Sequence, residues 1–373
     1  MPVRRNYKIF DFSFSLSSDS SQTIRLFDLV YKNFRQKNGL STSFSFEVFS
    51  VNGKRGAPRL KVGEKIYPFH GFGSLESQCF KLITDEIYRK IGSHVWIHGG
   101  GVAFQDKGIM ILGDSGTGKT SLILKLLSSG FKFLSDEVIP VEKKTGRMVP
   151  FLRSVGLRPE ARSLFEKEFS LFQELEFASL GGHKYFGNPS LLKSKKATRP
   201  VFPEYFFYLV NPEPASREEL DVDLIIETKG SGLLISLEKI QGLQILKSIR
   251  KGSHLYVMTR IRKNASVIKK YLEVCKEYKR HIVHTEKRRE KGLTFNQVPR
   301  IRPLAFPDIG LFLLKQSKEN VMEYHFPKER LESLGAYWLD LLKELNLEKI
   351  KGFEVQIGRI ENTVESIKNL LRS

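Results

Sequence analysis

Eight residues constrain this chain more than any others: Gly113 to Thr120, GDSGTGKT. They complete the pattern G-x-x-x-x-G-K-[ST] between an apolar run, GIMIL, and a run whose leucines recur at helical spacing, SLILKLLSSG. Residues without a Cβ can aim consecutive backbone N–H groups into one small volume. A helix opening directly behind them adds the positive end of its dipole. Polyphosphate is the ligand that such a turn accepts. Gly113, Asp114, Ser115, Gly116, Thr117 and Gly118 form the cradle, and Lys119 brings a full charge to the β and γ phosphates. The Thr120 hydroxyl, followed by Ser121 in the same helical turn, completes the shell of a Mg2+ ion that prefers oxygen ligands.

The surroundings predict an α/β (α+β) core. Lys119 to Ser129 is expected as a helix with Leu122 and Leu126 buried and Gly130 at its stop. VWIHGGGVAF and GIMIL read as strands joined by a QDKG turn, and FKFLSDEVIPV as the strand after the helix. Gly99 to Gly101 let the first of these strands pass close beside the loop. In the first seventy residues, IFDFSFSLS and TSFSFEVFS alternate apolar and polar and read as antiparallel strands, with VNGKRGAP as turn material. Leu75, Cys79, Ile83, Ile87 and Ile91 then recur every four residues, predicting a helix that ends near Gly92. The expected organisation is an N-terminal β-rich segment with a helix over 1–92, packed on a nucleotide-binding domain over 93–373.

Further along, YFFYLV and DLIIET read as strands, LQILKSI as helical, ERLESLGAYWLDLLKEL as a helix and GFEVQIG as a strand. ENTVESIKNLLRS reads as a closing helix, with Asn362 and Glu365 spaced as a capping box. No run approaches the roughly 18 residues of a membrane helix, and no signal-peptide core follows the basic opening residues. A cytoplasmic protein is expected, with Cys79 and Cys275 reduced and unmatched to any metal-ligand spacing. The net charge of +20 is uneven: Lys251 to Arg300 carries fourteen Lys/Arg against four Glu. Tyr271, Leu272 and Cys275 at helical spacing make this a solvated basic face. A surface for nucleic acid or another acidic partner is the alternative.

A switch GTPase would also carry a guanine-reading N-K-x-D, and a transporter ATPase an LSGGQ signature. The sequence has neither at a suitable position. What it does have is a His-Gly pair, His98–Gly99, fifteen residues before the loop, and an acid pair, Asp136–Glu137, at the end of the strand after the loop helix. In this order the three features resemble the catalytic core of HPr kinase/phosphorylase and related serine kinases, which share a P-loop fold with ATP-dependent phosphoenolpyruvate carboxykinase. The resemblance covers some fifty residues. It implies an ATP- and Mg2+-dependent kinase acting on a hydroxyl, serine above all, of a protein or peptide, and suggests a homo-oligomer. Asp136 is then the base and Glu137 the metal-side acid, or the reverse, and His98 touches the γ-phosphate or orients an acid. Arg158, in SVGLRPEAR, is the candidate for transition-state charge. Lys184, between glycines in GGHKYFG, is the candidate on a loop over the acceptor. The chain lacks the family's E-[IV]-R-G-[LIVM]-G type motif, has Glu where Asp is usual, and has an amino-terminal part that does not look like the regulator's usual separate domain. These departures point away from HPr as acceptor and from the reverse phosphorylase reaction. A nucleotide-sensing module that holds an acidic partner through residues 251–300, without phosphoryl transfer, is the alternative from another class.

Overall fold

The computed structural model describes residues 2–37, 42–50, 58–68, 75–114, 116–158, 161, 164–165, 172–177, 182–188, 195–210, 219–227, 232–251, 254–262, 266–267, 270, 273–274, 280–288, 298–316 and 345–372. The chain has mixed α/β content. It opens with β1 (Val3–Ile9), β2 (Phe12–Ser18), α1 (Ser21–Val30), β3 (Phe44–Phe49), β4 (Arg59–Val62), β5 (Lys65–Pro68) and α2 (Leu75–Lys90). The five strands lie side by side in chain order. IFDFSFSLS is not one strand. Phe10 takes a positive φ of 53° and turns the chain, so that Ile9 pairs with Phe12 in a hairpin.

Nor is this sheet wholly antiparallel. The residues SQTIRLFDLV form α1, capped by Ser20, whose hydroxyl accepts from the Thr23 N–H. A helix between two strands returns the chain to its starting end, which is why β2 and β3 pair in parallel. The expected second helix is present: Cys79, Ile83 and Ile87 are buried along one side of α2, with Ile91 just past it. Its core continues into Trp96, Val138 and Phe151 of the elements that follow. VNGKRGAP lies almost wholly outside the described residues.

Next come β6 (His94–His98), β7 (Gly100–Phe104), β8 (Lys107–Gly113), α3 (Lys119–Ser128), β9 (Lys132–Ser135), β10 (Val138–Glu142), β11 (Val155–Leu157), β12 (Gln173–Phe177), β13 (Gly182–Gly187), β14 (Lys195–Lys196) and β15 (Pro203–Val210). β16 (Glu219–Glu227), α4 (Gly232–Glu238), β17 (Leu243–Lys251), β18 (His254–Arg262) and β19 (Arg280–Arg288) follow. The chain closes with β20 (Arg300–Leu304), α5 (Phe306–Gln316), β21 (Lys351–Gln356) and α6 (Ile360–Arg372). The central sheet has the order β14-β9-β7-β8-β15-β21-β20. β8, β15 and β21 run parallel, and β9 shares their direction because each of β8 and β9 pairs antiparallel with β7 between them.

Successive residues of β8 point to opposite faces. Ile109 and Ile111 meet Leu122, Ile123 and Leu126 of α3 and Val364, Ile367 and Leu371 of α6, while Met110 and Leu112 meet Ile309 and Leu313 of α5. The sheet is therefore covered on both sides, and its strands read as near-continuous apolar runs for that reason. Each fully buried aliphatic side chain of α3 contributes about 1.5–3 kcal/mol of hydrophobic stabilisation. The closing helix begins at Ile360 rather than at Asn362, with Thr363 bonded back to the Arg359 carbonyl, so Asn362 and Glu365 form no capping box.

Two runs expected as single strands are each broken. VWIHGGGVAF divides into β6 and β7, and FKFLSDEVIPV into β9 and β10. β6 pairs with β10 in a two-stranded sheet of its own, whereas β7 and β9 stay in the central sheet. β11, β13 and β12 form a small antiparallel sheet. LQILKSI is a strand, not a helix: it is β17, in a four-stranded sheet of order β17-β18-β16-β19. ERLESLGAYWLDLLKEL lies outside the described residues, as do Tyr271, Leu272 and Cys275, and much of the basic segment is occupied by the strands β18 and β19. Among the described residues no helix is long and apolar enough to cross a membrane.

Candidate functional site

All the parallel strands end on one side of the sheet, the side where loops of open α/β sheets gather their ligands. β8 delivers Gly113 there. Gly113, Gly116 and Gly118 take φ of 145°, 79° and 87°, a backbone that L side chains rarely adopt. At Gly113 a Cβ would also stand 2.6 Å from the Leu209 carbonyl oxygen on the neighbouring strand. The turn is tied from inside: the Thr117 hydroxyl donates to the Asp114 carbonyl at 2.8 Å. The Asp114 carboxylate accepts from Tyr208 and from Gln316 of α5, each at 3.4 Å. Lys119 folds back over the loop and donates from Nζ to the Gly113 and Asp114 carbonyls at 2.8 and 3.0 Å. Thr120 and Ser121 follow in the first turn of α3, while Ser115 lies outside the described residues.

Across from the loop, the two broken strand pairs bend together. Gly99 and Gly100 lie at the bend between β6 and β7, and Asp136 and Glu137 at the bend between β9 and β10. The glycines are there for space. A Cβ on Gly100 would collide with Ile123 of α3, and one on Gly99 would press on the Ile111 carbonyl of β8. Glu137 has a φ of 67°, a left-handed conformation that costs a non-glycine residue about 1–3 kcal/mol. Its carbonyl oxygen is gripped twice, by the Gly99 N–H at 3.3 Å and by His98 Nδ1 at 2.9 Å. A carbonyl can only accept, so His98 Nδ1 carries the proton.

Asp136 is 1% exposed, and both of its carboxylate oxygens accept from the Thr120 hydroxyl, at 3.1 and 3.2 Å. Residues sixteen apart in the chain, one opening the loop helix and one just past β9, thus share a hydrogen bond at the edge of the glycine loop. Hard oxygen donors side by side suit Mg2+, which is usually held by one or two carboxylates together with phosphate oxygens and water. The residues present fit that ion.

One residue of this end was not legible in the sequence. Arg153 is buried, donates from a terminal nitrogen to the Tyr88 hydroxyl at 3.1 Å, and lies 5.7 Å from the Tyr31 ring and 6.0 Å from the Phe80 ring. Its Nε finds no hydrogen-bond partner among the described residues. Burial alone would weaken its charge. The Tyr88 and Tyr31 hydroxyls and the Glu137 and Asp136 carboxylates more than offset that, holding the guanidinium above its ordinary pKa. Arg153 is thus bonded to Tyr88 of α2 and set beside Tyr31, the residue after α1, with the acid pair acting on its charge. In the sequence it is one arginine in FLRSVGLRPEAR, five residues before the candidate Arg158. No local signal separates the two, because the rings that enclose Arg153 come from Tyr31, Phe80 and Tyr88.

Arg158 itself is exposed, just past β11. Lys184 belongs to a strand rather than a loop: it pairs with Leu175 in the β12–β13 hairpin. Gly113 to Thr120, His98, Asp136 and Glu137 are the sequence candidates that the fold assembles at one end of the sheet. No family model matches the chain, and neither does any curated protein.

Proposed function

We propose that this chain is an ATP- and Mg2+-dependent kinase of the HPr-kinase-like, phosphoenolpyruvate-carboxykinase-related type, transferring the γ-phosphate to a serine hydroxyl of a protein or peptide. The observation that carries this is the Thr120 to Asp136 hydrogen bond, which joins the phosphate loop to the acid-bearing strand end. Phosphoryl transfer asks a protein for alignment and charge rather than covalent chemistry. The loop N–H groups and the α3 dipole hold the polyphosphate, and Lys119 exchanges its two carbonyl partners for phosphate oxygens. Thr120 and Asp136 would hold a magnesium ion, which would supply charge neutralisation on the phosphates.

The Thr120 contact speaks for giving Asp136 the metal side and Glu137 the base, the reverse of the first assignment from the resemblance. The acceptor hydroxyl passes its proton to the Glu137 carboxylate as its oxygen bonds to phosphorus. The bond to the β–γ bridging oxygen breaks, and its electron pair leaves with ADP. His98, by bonding the Glu137 carbonyl, keeps that residue in its left-handed turn and so sets the direction of the carboxylate.

The test is a transfer screen with γ-labelled ATP, Mg2+, purified protein and lysate, against an Asp136→Asn control. A labelled product in the wild type that is lost with Asp136→Asn is expected, with a fall of about a hundredfold or more. Nucleotide binding with no control-sensitive label would sink the kinase and favour a sensing module.

A further inference from the structure

The acid bend is held on two sides. On one, the Gly99 N–H and His98 Nδ1 meet the Glu137 carbonyl. On the other runs the stretch from Met148 to Ser154, which crosses from one limb of the bend to the other. Met148 bridges Val141, and the Val149 N–H donates to the Pro140 carbonyl at 2.9 Å, both on β10. The Phe151 N–H then donates to the Leu134 carbonyl on β9 at 2.7 Å. These anchors flank Asp136 and Glu137 in the chain, so one short stretch fixes the spacing of the two limbs and with it the turn that carries both acids.

The same stretch is pinned farther on by the N-terminal unit. Asn33 Nδ2 donates to the Leu152 carbonyl at 2.6 Å, the Ser154 N–H to the Val30 carbonyl at 2.9 Å and the Ser154 hydroxyl to the Leu29 carbonyl at 2.7 Å. The last two acceptors are carbonyls of the final turn of α1, which a helix leaves without partners of its own. Between these anchors the chain turns tightly, with the Arg153 N–H bonded to the Phe151 carbonyl at 2.9 Å. The Arg153 side chain is sent to Tyr88 of α2, and besides the Tyr88 and Tyr31 hydroxyls, Glu137 and Asp136 act on its charge. Packing alone does not ask for an arginine here. Its Nε lacks a hydrogen-bond partner among the described residues, a cost that an apolar side chain of the same length would not carry. What the arginine adds is a fixed positive charge beside two adjacent carboxylates that otherwise repel each other.

Resting on the kinase proposed above, we infer that Arg153 is a positioning residue for transfer: its charge, set in place by the N-terminal unit through Tyr88 and through residues 148–154, holds Asp136 and Glu137 in the arrangement that transfer uses. The full chain is compared with Arg153→Met, which removes the charge, Arg153→Lys, which keeps one, and Asn33→Ala, which unpins the stretch without touching the arginine. All are measured where urea titration shows them folded. Hydrogen exchange in residues 134–140 should be about tenfold faster in Arg153→Met and about threefold faster in Asn33→Ala, with residues 113–119 unchanged. Arg153→Lys should stay within about threefold of the wild type. In turnover of γ-labelled ATP with Mg2+, Arg153→Met should lower kcat about tenfold, with KM for ATP within about twofold.

Exchange that quickens equally in the bend and the glycine loop reports a general loosening and overturns the inference. So do a bend unaffected by Arg153→Met, a lysine no better than methionine, and a kcat that does not fall. Should Arg153→Met fail to fold, Asn33→Ala decides by the same two readings, and an unaltered bend there overturns the inference. If the wild type turns over no ATP while the exchange pattern holds, the kinase fails and the hold of the arginine on the bend stands.

Discussion

The two halves of the candidate site are built by opposite means. The backbone of the glycine loop is set locally, by glycines and by bonds between residues at most six apart, such as Lys119 to the Gly113 carbonyl, while Tyr208 and Gln316 reach only the Asp114 side chain from afar. The acid bend is assembled from afar. Glu137 is gripped by His98, thirty-nine residues earlier, and Arg153 by Tyr88, sixty-five residues earlier. The rings around that arginine belong to α2 and to Tyr31, which follows α1, outside the central sheet. A loop of the first kind tolerates distant change, because its own backbone holds it. A bend of the second kind ties the candidate site to the N-terminal unit.

This division can be broken most directly at Lys119. Lys119→Ala should lower transfer by about 10²–10³, with nucleotide affinity falling and the melting temperature unmoved; an equal loss of stability would mean that the loop is not self-supporting. The next largest effect is expected at Arg153. Arg153→Met removes the guanidinium's hydrogen bond to the Tyr88 hydroxyl in a buried site, so urea denaturation should show a loss of about 1–3 kcal/mol. Nucleotide affinity should stay within about twofold by titration, and a larger change would erase the boundary between the halves.

His98→Ala removes one of the two bonds on the Glu137 carbonyl, for about 1 kcal/mol of stability. Transfer should fall in kcat with KM for ATP unchanged. A change in KM alone would assign His98 to the phosphates instead of the bend. The smallest effect concerns the seam between the N-terminal unit and β6, where His94 stacks on Phe10 at 4.3 Å. Burial pushes the His94 pKa below its ordinary value of 6.5. The unfolded chain then takes up the proton first, so stability is complete above pH 6.5 and declines as pH falls below it. His94→Gln should flatten that decline in a series of denaturation curves, and an unaltered slope would place the titrating group elsewhere.

Much of the site's local structure was legible because short-range physics writes it plainly. The strand, glycine turn and α3 followed from apolar spacing and one motif, and α2 from a four-residue repeat. Failures came where pairing overrides pattern. β17 was read as a helix because a bulge between Ile245 and Lys247 breaks its alternation and leaves Leu243, Leu246 and Ile249 at helix-like spacing. α1 hid between the two alternating runs, where SQTIRLFDLV has too few turns to stand out. β6 and β7, like β9 and β10, are continuous apolar runs, and nothing in such a run marks where a strand leaves one sheet for another.

What the residues alone determined is the cradle: Gly113 to Thr120 can turn in few other ways, and the helix behind them follows from their neighbours in the chain. What only the tertiary structure decided is the company this cradle keeps. Asp136 meets Thr120, Arg153 meets Tyr88, and Leu209 lies beside Gly113 because strands distant in sequence pair in one register. Those contacts exist only once the sheet has closed, since their energies come from burial and hydrogen bonds between segments that carry no mark of each other.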